Sequence, residues 1–481
     1  MWLYHNYYIF ITVLNLLLAA VVIFLERRNV GNTWAWLMVL LFLPVVGFFL
    51  YLLLGQNMSK AKLYKISKRT TEVIKQIVDG QRKAYLHNEI VFKDQAMVPY
   101  RDLIYMNLTS GSALYTQDNE IDIYIDGKDK FDALLVSIAE AKSFIHLMYY
   151  IVRDDGIGRK LMDALTVKAK EGVQIRFLYD QIGSFGLPES YYKPLVDAGG
   201  EVAAFFPSKI PYLNIRVNYR NHRKLAVIDG KVGYIGGFNV GDEYLGLDKR
   251  FGNWRDTHLQ IRGSAVLQMQ AQFFLDWNLA SNKAIPEDPS YFPVGFAHGK
   301  VGIQIVSSGP NNTDEQIKNA YIKMIHAAKE SVCIQTPYFI PDESVLNALR
   351  LAALSGVKVK LMIPGNPDHK MVYWASFSYL GDLLEAGGHI LLYDNGFLHA
   401  KSIVVDGKIA SIGTANVDIR SFKLNFEANA IVYDSEAAAK LQRIFDEDLT
   451  HCRELTLAQY NARSRTQKLK ESLTRLLSPI L

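Results

Sequence analysis

Two histidines, His222 and His399, stand in the same short pattern: His-x-Lys, four further residues, then aspartate. The first copy reads Asn221-His222-Arg223-Lys224, continues to Asp229, and is followed by Gly236-Gly237-Phe238-Asn239. The second reads Leu398-His399-Ala400-Lys401, continues to Asp406, and is followed by Gly413-Thr414-Ala415-Asn416. One His-x-Lys-x4-Asp has an expected count of about 0.04 in a chain with this many histidines, so a single copy is weak. Two copies at matching places in a repeated sequence are a strong signal. The chemistry they suit is at phosphorus. In an extended segment residues i and i+2 share a face, so His222 projects with Lys224 and His399 with Lys401. An imidazole can attack a phosphate while the neighbouring ammonium neutralises its non-bridging oxygens. Asn239 and Asn416 can donate further hydrogen bonds to those oxygens. With two histidines, one attacks while the other protonates the leaving alcohol and later deprotonates the entering one.

Asp256, in Asn253-Trp254-Arg255-Asp256, and Glu427, in Asn425-Phe426-Glu427, occupy equivalent places in the two copies. A carboxylate on the far nitrogen of an imidazole fixes its tautomer and supports positive charge, so both are expected to orient histidines. Arg220 and Arg223, with Arg216, form a basic cluster suited to an anionic headgroup. No metal is expected: the chain lacks His-Glu-x-x-His, lysine is a poor neighbour for a cation, and Cys333 and Cys452 are too few for a cysteine cluster. No cofactor is expected either, since no Gly-x-x-x-x-Gly-Lys-[Ser/Thr] loop is present to hold a nucleotide.

The elements that must position these residues are duplicated. Apolar β-branched runs alternate with helical patterns, as in an α/β fold with a mixed sheet flanked by helices. Ile145–Val152, Val173–Tyr179 and Leu225–Ile228 read as buried strands, and Asp132–Lys142 and Gly158–Glu171 as helices. Ser143-Phe144-Ile145-His146 aligns with Ser331-Val332-Cys333-Ile334, Glu171-Gly172-Val173 with Ser355-Gly356-Val357, and Ala198-Gly199-Gly200 with Ala386-Gly387-Gly388. The spacing is far longer than a solenoid repeat, so this is a duplicated domain. The expected organisation is a membrane hairpin at 1–58, a helical connector at 59–110, one repeat at 111–285 and a second at 286–481. The two repeats should face each other across a pseudo-two-fold axis.

The front of the chain is lipid-like. Residues 1–55 carry only Glu26, Arg27 and Arg28 as charges, between the uncharged stretches Tyr8–Leu25 and Trp34–Leu54. A bilayer core takes about 20 apolar residues of helix, so the pattern predicts a transmembrane hairpin, with Tyr7, Tyr8, Trp34, Trp36 and Tyr51 as interface aromatics. Pro44 is expected to kink the second span. Lys60, Lys62, Lys65, Lys68 and Arg69 follow it, which places the long remainder on the cytoplasmic side of a multi-pass protein. At the other end, Leu469, Leu473, Leu476 and Leu477 share a helical face flanked by basic residues, as in a tail lying on the membrane, on the hairpin or on the core.

The paired motifs resemble those of the phospholipase D superfamily and, within it, the bacterial cardiolipin synthases. Asn218-Tyr219-Arg220-Asn221-His222-Arg223-Lys224, Thr336-Pro337-Tyr338-Phe339-Ile340-Pro341-Asp342 and Asn416-Val417-Asp418-Ile419-Arg420-Ser421-Phe422 carry the likeness, which extends over nearly the whole chain. The resemblance implies catalytic roles for His222, Lys224, Asp229, His399, Lys401 and Asp406. It implies a phosphatidyltransferase of the bacterial cell membrane, with anionic phospholipid (phosphatidylglycerol, cardiolipin) and no nucleic acid as partner. One phosphatidylglycerol would give its phosphatidyl group to a histidine and a second would accept it. The competing readings are a membrane-bound hydrolase or nuclease with the same site, in which water is the acceptor, and a lipid-binding scaffold without activity. The flanking cations favour His222 as nucleophile and His399 as acid and base.

Overall fold

The structure, a computed structural model, describes residues 2–24, 30–55, 63–64, 67–207, 216, 218–281, 283–295, 299–312 and 314–479. Seven strands of the first repeat are β1 (Thr116–Tyr124), β2 (Phe144–Tyr149), β3 (Gln174–Asp180), β4 (Glu201–Phe205), β5 (Leu225–Ile228), β6 (Val232–Gly236) and β7 (His258–Arg262). Their counterparts are β8 (Val301–Ser308), β9 (Ser331–Gln335), β10 (Lys358–Pro364), β11 (His389–Tyr393), β12 (Ser402–Val405), β13 (Ile409–Gly413) and β14 (Asn425–Tyr433), with β15 (Cys452–Leu455) added at the end. All lie in one sheet, ordered β15-β11-β10-β9-β12-β13-β14-β8-β1-β7-β6-β5-β2-β3-β4. The order is palindromic about the antiparallel β1–β8 pair. The expected pseudo-two-fold is therefore written into the sheet. Within each repeat β2, β3 and β4 (or β9, β10 and β11) are parallel, and the remaining strands are antiparallel.

The predicted strands and helices are present with small shifts in their ends. Both faces of β2, β3, β5 and their counterparts are covered, which is why these strands read as continuous apolar runs rather than alternating ones. Helices α6 (Gly127–Glu140) and α7 (Gly156–Lys170) cover one face of the first repeat, and α9 (Ala265–Ala280) the other. One alignment is corrected by a residue. The start of β2 at Phe144, not Ser143, corresponds to Ser331, because Phe144 and Ser331 both offer their N–H to the motif aspartate of their repeat.

That contact also corrects the expected role of Asp229 and Asp406. Asp229 and Gly230 both have positive φ (52° and 64°), as do Asp406 and Gly407 (53° and 60°), making the Asp-Gly turns that close the β5–β6 and β12–β13 hairpins. The Asp229 carboxylate accepts from the backbone N–H of Lys142, Ser143 and Phe144 at 2.8–2.9 Å. Asp406 does the same for Lys329, Glu330 and Ser331. Each lies at the far end of its strand from the histidine. They staple a hairpin to the neighbouring strand and are not reacting groups.

The front of the chain forms α1 (Trp2–Phe24), α2 (Val30–Phe42) and α3 (Pro44–Leu54). The second span expected at Trp34–Leu54 is thus two helices. Proline drives its predecessor out of the helical region, and Leu43 sits at φ −124°, ψ 66°. Among the described residues no helix is long and apolar enough to cross a membrane. Tyr51 is buried against Trp36 with Val22 and Leu40, so it serves a small core and not an interface. Of the basic run after α3, Lys60, Lys62 and Lys65 lie outside the described residues. The connector contributes α4 (Lys68–Leu86) and α5 (Arg101–Gly111). Leu103 and Ile104 of α5 pack into the core of the second repeat beside Ile317 and Tyr321.

The C-terminal helix α16 (Arg465–Arg475) packs on α12 (Lys370–Glu385) of the catalytic part. Lys470 lies over the Trp374 ring, Arg475 over Tyr379, and Ser478 bonds the Tyr379 hydroxyl. The buried side is polar, carrying Glu471 and Thr474, and Leu469, Leu473 and Leu476 point outward.

Candidate active site

Each histidine lies in an irregular stretch just before a strand, not within it. What fixes it is a pair of two-residue strands that join the repeats. Arg220–Asn221 runs parallel to Asn425–Phe426, and the His222 N–H continues the pairing to the Phe426 carbonyl at 2.9 Å. Phe397–Leu398 runs parallel to Trp254–Arg255, and the His399 N–H bonds the Arg255 carbonyl at 2.7 Å. The next residue along each partner strand is the carboxylate. His222 Nδ1 therefore meets Glu427 at 2.9 and 3.0 Å, and His399 Nδ1 meets Asp256 Oδ2 at 2.6 Å. The orienting carboxylates are those the sequence singled out, but each serves the other repeat's histidine. Glu427 thus supports His222, and Asp256 supports His399.

Both carboxylates are fully buried. Burial pushes their pKa values up, but Lys401 and His399 at Asp256, and His222 and Lys224 at Glu427, outweigh it and hold both below the usual carboxylate range. Each is an anion at neutral pH and accepts the Nδ1 proton, which leaves Nε2 of each ring as the nitrogen with a free lone pair. Burial pushes His222 down to about 4 against the pull of Glu427, and pushes His399 down to about 4 with Lys401 adding to it and Asp256 opposing. Burial also takes Lys224 down to about 7 and Lys401 to about 8. Lys401 acts on His222, and Lys224 acts on His399, across the repeats. Two imidazoles and two ammonium groups thus share one desolvated site. An entering phosphodiester anion would favour the protonated forms of the lysines and histidines that burial disfavours.

The lysines fold back onto their own segments: Lys224 Nζ donates to the His222 carbonyl at 2.6 Å, and Lys401 Nζ to that of His399. Tyr150 packs edge-on to His222 with centroids 4.8 Å apart, and Trp254 tilts against His399 at 5.1 Å. At the position where the second repeat has Thr414, the first has Gly237. A Cβ there would stand 1.9 Å from Asp256 Oδ1, so only glycine admits the carboxylate. Thr414 instead donates its hydroxyl to Glu427 Oε2 at 2.5 Å, and Asn425 Nδ2 donates to Oε1 at 3.1 Å.

Three expected substrate contacts are changed. Arg223 is buried and turned away from the site: it forms a two-pronged ion pair with Asp276 at 2.7–2.8 Å and donates to the carbonyls of Glu427 and Ser308. Side chains alternate along an extended segment, so the residue between His222 and Lys224 must face the opposite way. Asn239 bonds the Tyr244 hydroxyl and the Ile151 N–H, and Asn416 bonds Asp418, so among the described residues each amide has one N–H beyond its structural contact. Arg220 stays beside the site, next to Tyr150. Tyr150, Trp254, Thr414 and Arg420 escaped the sequence reading; the only signal for them was their place beside repeated motif residues. Among the described residues no group of three or more His, Cys, Asp or Glu is placed to hold a metal ion.

Comparison with known proteins identifies the family. A family model described as "Cardiolipin synthase, PLD-like domain" matches residues 134–273 and 321–449, one segment in each repeat. Another, "Phospholipase_D-nuclease N-terminal", matches residues 13–56. The chain is 53% identical over 469 residues to a cardiolipin synthase of Oceanobacillus iheyensis, covering 98% of both chains. It is 53% identical over 470 residues to the major cardiolipin synthase ClsA of Bacillus subtilis, again covering 98% of both. Among solved structures, the phosphatidylserine synthase of Haemophilus influenzae shares the fold at 14% identity with a TM-score of 0.58, covering 77% of this chain and 97% of that one. With a duplicated domain match over more than half its length and full-length relatives at this identity, the chain belongs to the cardiolipin synthase family of phospholipase D-like proteins.

Proposed function

We propose that the chain joins two molecules of phosphatidylglycerol into cardiolipin with release of glycerol. The observation that carries this reading is the crossed pair of carboxylate-held histidines sharing one site with Lys224 and Lys401. His399 takes up a proton from solvent at Nε2 as the phosphodiester anion enters, because the added negative charge favours imidazolium. His222 Nε2 attacks the phosphorus of the first phosphatidylglycerol, and the P–O bond to glycerol breaks as His399 passes that Nε2 proton to the leaving oxygen. His399 then takes the proton from the primary hydroxyl of the second phosphatidylglycerol. That oxygen attacks phosphorus and the P–N bond breaks, returning both histidines to their starting state. Lys224 and Lys401 neutralise the non-bridging oxygens. A phosphohistidine keeps the reactivity of the phosphodiester, so the exchange needs no nucleotide.

We assign the nucleophile to His222 on two grounds. The short 2.6 Å contact to Asp256 suits His399 to holding a proton, while Glu427 is shared with Thr414 and Asn425. Arg223, on which part of the sequence argument rested, plays no part. No metal takes part in these steps; loss of activity in chelator, restored by a specific divalent ion, would overturn that.

The apolar side chains of the N-terminal helices support attachment to the membrane that holds the substrate. Phe10, Phe24, Leu41 and Phe42 are each about two-thirds or more exposed, which is unfavourable in water. The catalytic part lies on the cytoplasmic side in this reading. The test is to incubate purified protein with phosphatidylglycerol vesicles alone. Equimolar cardiolipin and glycerol are expected; phosphatidic acid as the dominant product would mean hydrolysis instead.

A further inference from the structure

The reacting centre obeys the pseudo-two-fold, but one flank breaks it. Arg220 occupies the place that Phe397 holds in the other repeat, two residues before the histidine, and Arg420, four residues after Asn416, corresponds to Glu243. Both arginines belong to the His222 side. Arg220 lies in the extended pair with Asn425–Phe426 that ends at His222. Arg420, in the short helix Ile419–Lys423, donates to the Asn218 side chain at 3.1 Å and to its carbonyl at 2.8 Å, two residues before Arg220.

The charges of Asp180 and Asp418 reach the arginines, but both carboxylates take their hydrogen bonds from other groups. Asp180 accepts from the N–H groups of Ile182, Gly183 and Asn221, and Asp418 from Ser421 N and Asn416 Nδ2. Arg220 meets the Tyr150 hydroxyl, but its Nη1 is buried without a hydrogen-bond partner among the described residues. Burial, and then the charge of Arg220, holds Arg420 below the ordinary range for arginine, so the two guanidinium groups are close enough to repel. The opposite flank is aromatic, with Phe397 packed between Trp254 and Phe251.

A buried donor without a partner, beside a second like charge, is costly unless an anion joins it. In the transfer proposed above, the charge of the reacting phosphate is already answered by Lys224 and Lys401. The reaction brings a second phosphate that does not react, carried by the accepting phospholipid three carbons from its attacking hydroxyl. We propose that Arg220 and Arg420 form a subsite for this spectator phosphodiester, and that the pair selects a phospholipid alcohol over a neutral alcohol or water as acceptor.

This rests on the two-step transfer above, and the test separates the two claims. In vesicles of phosphatidylglycerol with labelled glycerol in solution, the first half-reaction and its reversal place label in phosphatidylglycerol without a second phosphate. Cardiolipin formation requires one. In Arg220→Gln and Arg420→Gln the ratio of cardiolipin formed to glycerol exchanged should fall about 10- to 100-fold, the loss expected for a charge-assisted hydrogen bond to phosphate. Arg220→Lys should recover part of it. An unchanged ratio, whether both activities persist or both fall together, overturns the subsite. A wild-type protein that neither exchanges glycerol nor makes cardiolipin overturns the transfer reading and the subsite with it.

Discussion

The crossing of the carboxylates can be tested by replacing each with its amide. Asp256→Asn keeps the shape that Gly237 accommodates, but its one amide oxygen can accept either from Thr257 N–H, 2.7 Å from Oδ1 in the native protein, or from His399, not from both. It removes the negative charge that faces His399 Nδ1 at 2.6 Å. If the amide oxygen still faces Nδ1, the Thr257 bond goes, at a cost in stability, and His399 itself loses only the charge assistance, roughly 1.5–3 kcal/mol, or about 10- to 100-fold in rate. If the amide nitrogen turns toward Nδ1, the tautomer inverts and the proton moves to Nε2, where a lone pair or a transferable proton is required. Losses of about 10⁴-fold accompany that change in serine proteases. Glu427→Gln is expected to behave likewise at His222. The assay uses a phosphatidyl ester with an activated leaving group, which needs no general acid, and mass spectrometry of the trapped adduct. His222→Ala and His399→Ala first identify the labelled histidine. Adduct formation must then be slowed more by the amide variant in the opposite repeat: Glu427→Gln for an adduct on His222, Asp256→Asn for one on His399. Slowing by the carboxylate of the same repeat would refute the crossed pairing, whichever histidine is labelled.

Replacing Arg223 by alanine leaves Asp276 buried without its cation and should cost about 3–5 kcal/mol in urea unfolding; a loss confined to the KM for lipid, with stability intact, would return Arg223 to the substrate. Asp229→Ala orphans three backbone N–H groups and should lower stability by a few kcal/mol at about 1 kcal/mol each while sparing the activity per folded molecule; activity lost at full stability would make it a reacting group. His222 and His399 are neutral in the folded protein down to about 4 but titrate near 6.5 when unfolded, so the unfolded chain binds more protons between those values. Stability should therefore fall as pH is lowered from about 6.5 to about 4, and His222→Gln with His399→Gln should flatten that fall in denaturation midpoints. Exchanging Leu469, Leu473 and Leu476 for serine should weaken vesicle binding and leave the melting temperature nearly unchanged, since these side chains point away from α12; a large drop in melting temperature would show that they cover core.

The amino-acid sequence by itself settled the chemistry and the duplication. His-x-Lys-x4-Asp is local: the lysine follows the histidine by two residues, the Asp-Gly turn closes a hairpin on either side of it, and apolar runs of β-branched residues mark the strands that carry it. Asp256 and Glu427 were legible too, because a duplicated chain exposes a carboxylate that recurs at an equivalent place. What no local pattern holds is which histidine a carboxylate reaches. That depends on two parallel pairings, Arg220–Asn221 with Asn425–Phe426 and Phe397–Leu398 with Trp254–Arg255, whose partners are far apart in the chain. Arg223 reads as a phosphate-binding cation until the pleat turns it toward Asp276, and Asp229 reads as catalytic until the turn aims it at three backbone N–H groups. Composition gives a residue its charge and its reach; the direction of that reach is set by backbone pairing between distant segments, and only the folded chain brings those segments together.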